Sequence, residues 1–397
     1  MLSSSDRIRT THVGSLPRPD ALREANAARR EGSLSEEDFQ TVLSRSVDEI
    51  VGKQVELGID TVNDGEYGHA MAGSVDYGAW WHYSFARTGG LDVVDGVTFE
   101  EILRSPGNGR YNSFAVRRDW NRFSDFYAEL ELGNDPSSEF PIATGPLTYE
   151  GGDAVAADIR NLRDAVEHRG ASEAFVAALS PGSASRIGNR HYKTDEEFIY
   201  AWADVLHEEY KAITDAGLIV QLDDPSIAEA WDQLNPEPTV EEYLRFNDLA
   251  IEAANYALRG IPEEQVRFHL CWGSWHGPHT TDIEIRHLID SLFTINAGAY
   301  SFEAANARHA HEWKAWEDVD LPEGKLILPG VVSHSTNVVE HPELVAQRIE
   351  QYASVVGREN VVASTDCGLG GRIHPQIAEA KLASLAEGAR IASQRLF

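Results

Sequence analysis

The 397-residue chain carries 34 Lys plus Arg against 64 Asp plus Glu, a formal charge of −30. That balance argues against nucleic acid or an anionic membrane as the main partner, and 42% hydrophobic residues are too many for a disordered acidic chain. No apolar run approaches the roughly 20 residues of a membrane span, residues 1–10 lack a signal-peptide core, and two cysteines cannot build a disulfide scaffold; a cytoplasmic protein is expected.

In chain order, short apolar runs ending in Gly, Pro or polar clusters predict strands at 11–16, 59–64, 140–144, 175–179, 218–222, 267–272, 300–303, 326–332 and 361–365. Between them lie segments of helical period such as 35–57 and 194–216. In the latter, Phe198, Trp202, Val205, Leu206, Tyr210 and Ile213 mark one buried face. Repeated strand–helix alternation predicts an α/β fold with a parallel sheet. Nine candidate strands fit an eight-stranded (β/α)8 barrel plus one extra strand, with a doubly wound open sheet as the alternative. The stretch 71–135, rich in aromatics, Gly and Asp, reads as an inserted excursion after the second strand that could form a lid. A single domain over 1–397 is expected, because polar residues concentrate at strand C-termini, which share one rim in a parallel barrel.

Two positions apart in one predicted strand, His269 and Cys271 point to the same face and can grip one ion. The last strand brings Cys367 and an intervening one Glu303, a His, Cys, Glu and Cys set that suits tetrahedral Zn²⁺. His276, His279, His309 and His311 stand as alternative ligands; each cysteine taken alone reads rather as a small buried hydrophobe, and it is their joint placement at strand ends that points to a metal.

Several segments, in family order, resemble the catalytic C-terminal half of the cobalamin-independent methionine synthase family: Thr10-Thr-His-Val-Gly-Ser-Leu-Pro17, Asp64-Gly-Glu66, Gln221-Leu-Asp-Asp-Pro225, His269-Leu-Cys271, Phe302-Glu303, Pro329-Gly-Val331 with His334, and Asp366-Cys-Gly-Leu369. The resemblance implies a TIM barrel of the methionine synthase and uroporphyrinogen decarboxylase-like type, with zinc on His269, Cys271, Glu303 and Cys367. It implies that a homocysteine-like thiol binds through Ser15, Glu66 and Asp223. His334, one residue out of register with the family pattern, falls near the position of the acid that protonates the leaving group, and reads equally as a structural rim histidine. The alkyl donor implied is a folate, a methylcobalamin-bearing partner or, as in epoxyalkane:coenzyme M transferase-like enzymes of the short branch, an epoxide. Glu66 and Asp223 favour an amino-acid thiol over a sulfonate thiol, whose recognition would want a cation. The sequence carries no signal for oligomeric state.

Overall fold

The computed structural model describes residues 1–69, 79–93, 117–129 and 141–397. Its strands are β1 (Arg9–Thr10), β2 (Thr61–Val62), β3 (Thr88–Asp92), β4 (Ile142–Tyr149), β5 (Glu173–Leu179), β6 (Gly188–Asn189), β7 (Ile219–Asp224), β8 (Val266–Leu270), β9 (Ala299–Phe302), β10 (Leu326–Val332) and β11 (Val362–Thr365). Eight of them form one sheet in the order β1-β11-β10-β9-β8-β7-β5-β2, with every neighbouring pair in that order parallel. The remaining seam, β1 to β2, is bridged where Asp60 N donates to Thr10 O at 3.0 Å and Thr11 Oγ1 donates to Thr61 O at 3.0 Å. The sheet is thus a nearly closed (β/α)8 barrel, as expected. Strands buried on both faces read as continuous apolar runs rather than alternating ones, which is why β5, β7 and β8 were legible.

Two expected strands differ. The first pairs at Arg9–Thr10, two residues ahead of the expected 11–16. Residues 11–13 still lie against β11, with Thr11 N on Ala363 O at 2.8 Å and Val13 N on Thr365 Oγ1 at 3.1 Å. Gly14 then turns the chain at φ 143°. The candidate at 140–144 is the extra strand: its described part opens β4, which leaves the barrel to pair antiparallel with β3 and parallel with β6. Of the expected excursion 71–135, a helix at Ala79–Ala86, strand β3 and the short helices Arg118–Arg122 and Ser124–Glu129 are described; the rest of that expectation lies outside the described residues.

The outer helices form for local reasons. Helix Glu36–Leu57 starts where Ser35 Oγ accepts from Asp38 N and stops at Gly58 in the left-handed region. Helix Asp195–Asp215 buries all six residues of its expected face, with Trp202 and Tyr210 fully enclosed. Each such large apolar side chain contributes roughly 1.5–3 kcal/mol on burial. Among the described residues no helix is long and apolar enough to cross a membrane.

Candidate metal centre

Side chains alternate along β8, and the parallel register aligns Asp223 of β7, His269 of β8 and Ser301 of β9. These three therefore share one layer near the strand C-termini. Cys271 follows the end of β8, and Cys367 follows β11 by two residues. The donor atoms of His269, Cys271 and Cys367 all lie within 4.8 Å of one another, and all three residues are buried.

The two sulfurs are 3.9 Å apart and neither cysteine is in a disulfide. A disulfide would need about 2.05 Å, whereas two thiolates on one tetrahedral zinc, at about 2.3 Å each, sit roughly 3.8 Å apart. His269 Nδ1 is 3.1 Å from Ser301 Oγ, while its Nε2 is buried without a hydrogen-bond partner. One ring nitrogen anchored and the other left for an ion is the usual arrangement of a ligating histidine. The hydrogen bond between the cysteines holds Cys367 well below the usual thiol range, helped by His269, while the same bond and burial push Cys271 up. Gly273 N also donates to Cys271 Sγ at 3.3 Å.

Glu303 stands beside this trio. Its Oε1 accepts from Trp272 N, the residue after Cys271, at 3.2 Å, and its Oε2 accepts from Asn306 Nδ2 at 2.7 Å. Burial pushes its carboxyl well up. Within 4.8 Å it groups with His334 and Asp366, both buried. Asp366 Oδ1 accepts from Ala304 N and Ala305 N at 2.7 Å each. That close approach needs Gly330 opposite, where a Cβ would strike the Asp366 backbone and carboxylate. His334 is lowered to about 3 by burial, so its ring is neutral.

The other expected site residues converge on the same rim. Ser15 O accepts from Leu369 N at 2.8 Å and Gly370 N at 2.9 Å, tying the Gly14–Ser15 turn to the loop behind Cys367. Leu16 N donates to Gly65 O at 3.1 Å and so ties the same turn to the loop carrying Glu66. Glu66 has φ 58°, one of two non-glycine residues in the left-handed region among the described residues. Such a strained backbone persists only where its surroundings hold it; here Arg18 Nη2 grips Glu66 O at 2.6 Å. Gly14 is required because a Cβ there would strike Glu66 Oε1. Burial, then the nearby Asp223 carboxylate, pushes Glu66 well above the ordinary range. Asp223 Oδ1 accepts from Gln221 Nε2 at 2.8 Å. Two buried carboxylates in mutual repulsion form a ready site for a cationic group.

None of the alternative histidines joins a metal-ligating group among the described residues. His309 is spanned by Glu312 at 2.7 Å and Asp282 at 3.3 Å, and His279 pairs with Asp282 at 3.2 Å while stacking on Trp275. His276 is more exposed and His311 is exposed. Three participants were not picked out from the sequence: Ser301, Asn306 and Asp366. Asn306 was findable, three residues past Glu303 in Glu-Ala-Ala-Asn, and Asp366 directly precedes Cys367; Ser301 needed the inter-strand register.

Comparison with known proteins settles the family. The model of the "Cobalamin-independent synthase, Catalytic domain" matches residues 8–77 and 173–390, well over half of the chain. The chain belongs to the cobalamin-independent methionine synthase family. Members include a methionine synthase of Sulfolobus acidocaldarius, 23% identical over 98% of this chain and 93% of that protein. A 5-methyltetrahydropteroyltriglutamate–homocysteine methyltransferase of Thermotoga petrophila is 23% identical over 91% of this chain but only 41% of its own length. In fold, the chain is similar to a B12-independent methionine synthase of Shewanella sp. W3-18-1, solved with selenomethionine, with TM-score 0.70, 22% identity, and coverage of 98% and 99% of the two chains. Membership in the methionine synthase family assigns the broad chemistry, methyl transfer by an enzyme built on this barrel.

Proposed function

We propose that this chain is a zinc-dependent methyltransferase that methylates a homocysteine-like thiol, with Zn²⁺ held by His269, Cys271, Cys367 and Glu303. The observation that carries the proposal is the buried trio with sulfurs 3.9 Å apart and His269 Nε2 unpartnered. Sulfur and imidazole donors select zinc over hard cations. When bound, zinc supplies Lewis acidity that lowers the pKa of a coordinated thiol.

The chain's own groups do the rest. Glu66 and Asp223 hold the substrate ammonium, which relieves their mutual repulsion. The Gly14–Ser15 turn offers backbone to the substrate carboxylate. The thiol gives up one proton and the departing donor requires one. We assign the transfer of that proton to His334, which is buried on the same rim. These groups belong to one barrel, which we read as a single domain.

A methyl folate is the proposed donor, in keeping with the substrate named for the Thermotoga relative. Because a surface at −30 repels a polyglutamate tail at long range, a short folate is favoured. The selenomethionine in the Shewanella protein supports an amino-acid thiol pocket, and the two acids weigh against the sulfonate thiol of the epoxide-opening branch. Two free thiols at 3.9 Å also fit a reducing, cytoplasmic setting.

Zinc content and methyl transfer to homocysteine from mono- and polyglutamyl methyl folates test the reading. Cys271→Ser and Cys367→Ser should each lose both zinc and activity. Full methyl transfer by zinc-free protein would overturn it.

A further inference from the structure

Lys381 is the least expected charge in the fold, a lysine with no exposed surface on helix Pro375–Leu396. Lysine is almost never fully buried unless it is paired. Its Nζ donates to Glu340 Oε2 at 2.9 Å and to Val338 O at 2.6 Å. Glu340 is itself buried, and its other oxygen, Oε1, accepts from Ser333 N at 2.7 Å. Ser384, one turn after Lys381 on the same helix, donates to Glu340 O at 2.5 Å. The segment from Ser333 to Glu340 is therefore cinched at both ends by one carboxylate, and the carboxylate is fixed by a helix. Ser333 immediately precedes His334.

Other contacts at the base show what this clamp adds. Arg348 ties the strand end, donating to Val331 O and Ala305 O at 2.9 Å each. Ser333 Oγ is 2.8 Å from Ser335 Oγ and accepts from Ser335 N at 3.2 Å, bracketing His334 on its far side. Meanwhile Val338 and Val339, further along the loop, are exposed and make no core packing. Apolar contacts do not fasten this loop; the carboxylate does.

We propose that Glu340, locked by Lys381, is the positioning residue for His334, setting where the imidazole stands over the reacting atoms. The proposal rests on the role assigned above to His334. Replacing a buried ion pair by apolar residues commonly preserves stability, whereas breaking it by removing one charge does not. Positioning and stability can therefore be separated with two variants. Glu340→Gln keeps an acceptor for Ser333 N but strands the Lys381 charge. Its thermal midpoint should fall markedly while kcat at a permissive temperature stays within a few-fold of wild type. Glu340→Leu with Lys381→Met removes the charge problem and the Ser333 anchor together. Its midpoint should return towards wild type while kcat falls roughly tenfold to a hundredfold, as a misplaced catalytic group costs. Zinc content and the KM for thiol should be unchanged in both.

His334→Asn is the reference. Unchanged kcat in that variant would overturn the role of His334 and the clamp with it. A large fall in His334→Asn together with wild-type kcat in the double variant would overturn the clamp alone. A kcat that follows the thermal midpoint in both variants would reduce Glu340 to a structural residue and likewise overturn it. If the double variant does not fold, Glu340→Asp decides at a permissive temperature, since it keeps the charge for Lys381 but draws the acceptor back from Ser333 N: a tenfold or larger fall in kcat with zinc content unchanged supports the proposal, and wild-type kcat overturns it.

Discussion

Behind the candidate metal site, His309 illustrates how a single buried residue can be forced into its charged form. Burial alone would depress its pKa, but Asp282 and Glu312 outweigh that and push it up to about 10. It lies against the Trp272 ring with centroids 4.4 Å apart, one residue beyond Cys271. In the unfolded chain a histidine titrates near 6.5. Because the folded value is higher, the charged imidazole's contribution is complete below about pH 6.5 and is lost as pH rises through about 10. Urea unfolding at pH 6, 8 and 10 should therefore show stability falling across that window. His309→Asn should flatten the fall while lowering stability at pH 6; an unchanged slope in the variant would show that His309 is not its source. Glu66 and Asp223 follow the opposite logic, as two carboxylates kept together at a cost that a bound cation would repay. Glu66 was visible in Asp64-Gly-Glu66, but its positive φ was not, since sequence favours glycine at such angles. That Glu303 groups with His334 and Asp366 rather than with His269 and the two cysteines was equally hidden, for its carboxylate is held by Trp272 N and Asn306, partners brought by the fold.

At the scale of elements, periodicity was the reliable guide wherever one face meets the core. The helix Asp195–Asp215 shows this well, because its six expected apolar positions all pack inward. Trp202 is fully buried among Phe198 and Phe85. Trp202→Ala should cost about 3–5 kcal/mol, measured as a lower urea midpoint with unchanged slope; a cost below about 1 kcal/mol would mean the helix repacks freely. Sheet membership was less legible. The run at the start of β4 carries the same β-forming residues as a barrel strand, yet it pairs with β3 and β6. Local composition reports that a segment is extended, not which edge it meets, and partner choice is settled by contacts far away in sequence. β1 shows the reverse error, since side-chain acceptors such as Thr365 Oγ1 carry residues 11–13 onward where the regular ladder has ended.

On the scale of the whole molecule, the dominant quantity is charge. A net −30 stores self-repulsion in the compact state. Raising ionic strength from about 0.01 M to 0.3 M shortens the screening length from roughly 30 Å to under 10 Å. The thermal midpoint should accordingly rise with sodium chloride across that range, and one that falls or stays flat would show that local ion pairs outweigh the global field. Scanning calorimetry at matched pH checks this. The eight-stranded ring was inferable from strand number and rim chemistry, whereas the β1–β11 pairing was not, because it joins residues at opposite ends of the described chain.

The β1–β11 pairing also bears on how the proposed zinc site is completed. His269 and Cys271 lie close in sequence and share a strand end, so a partly folded chain already presents two donors. The third, Cys367, follows β11, the strand that lies between β10 and β1 in the native ring. For the zinc site proposed above, a chain in which β11 is not docked would offer two donors rather than three, and would hold the ion correspondingly less tightly.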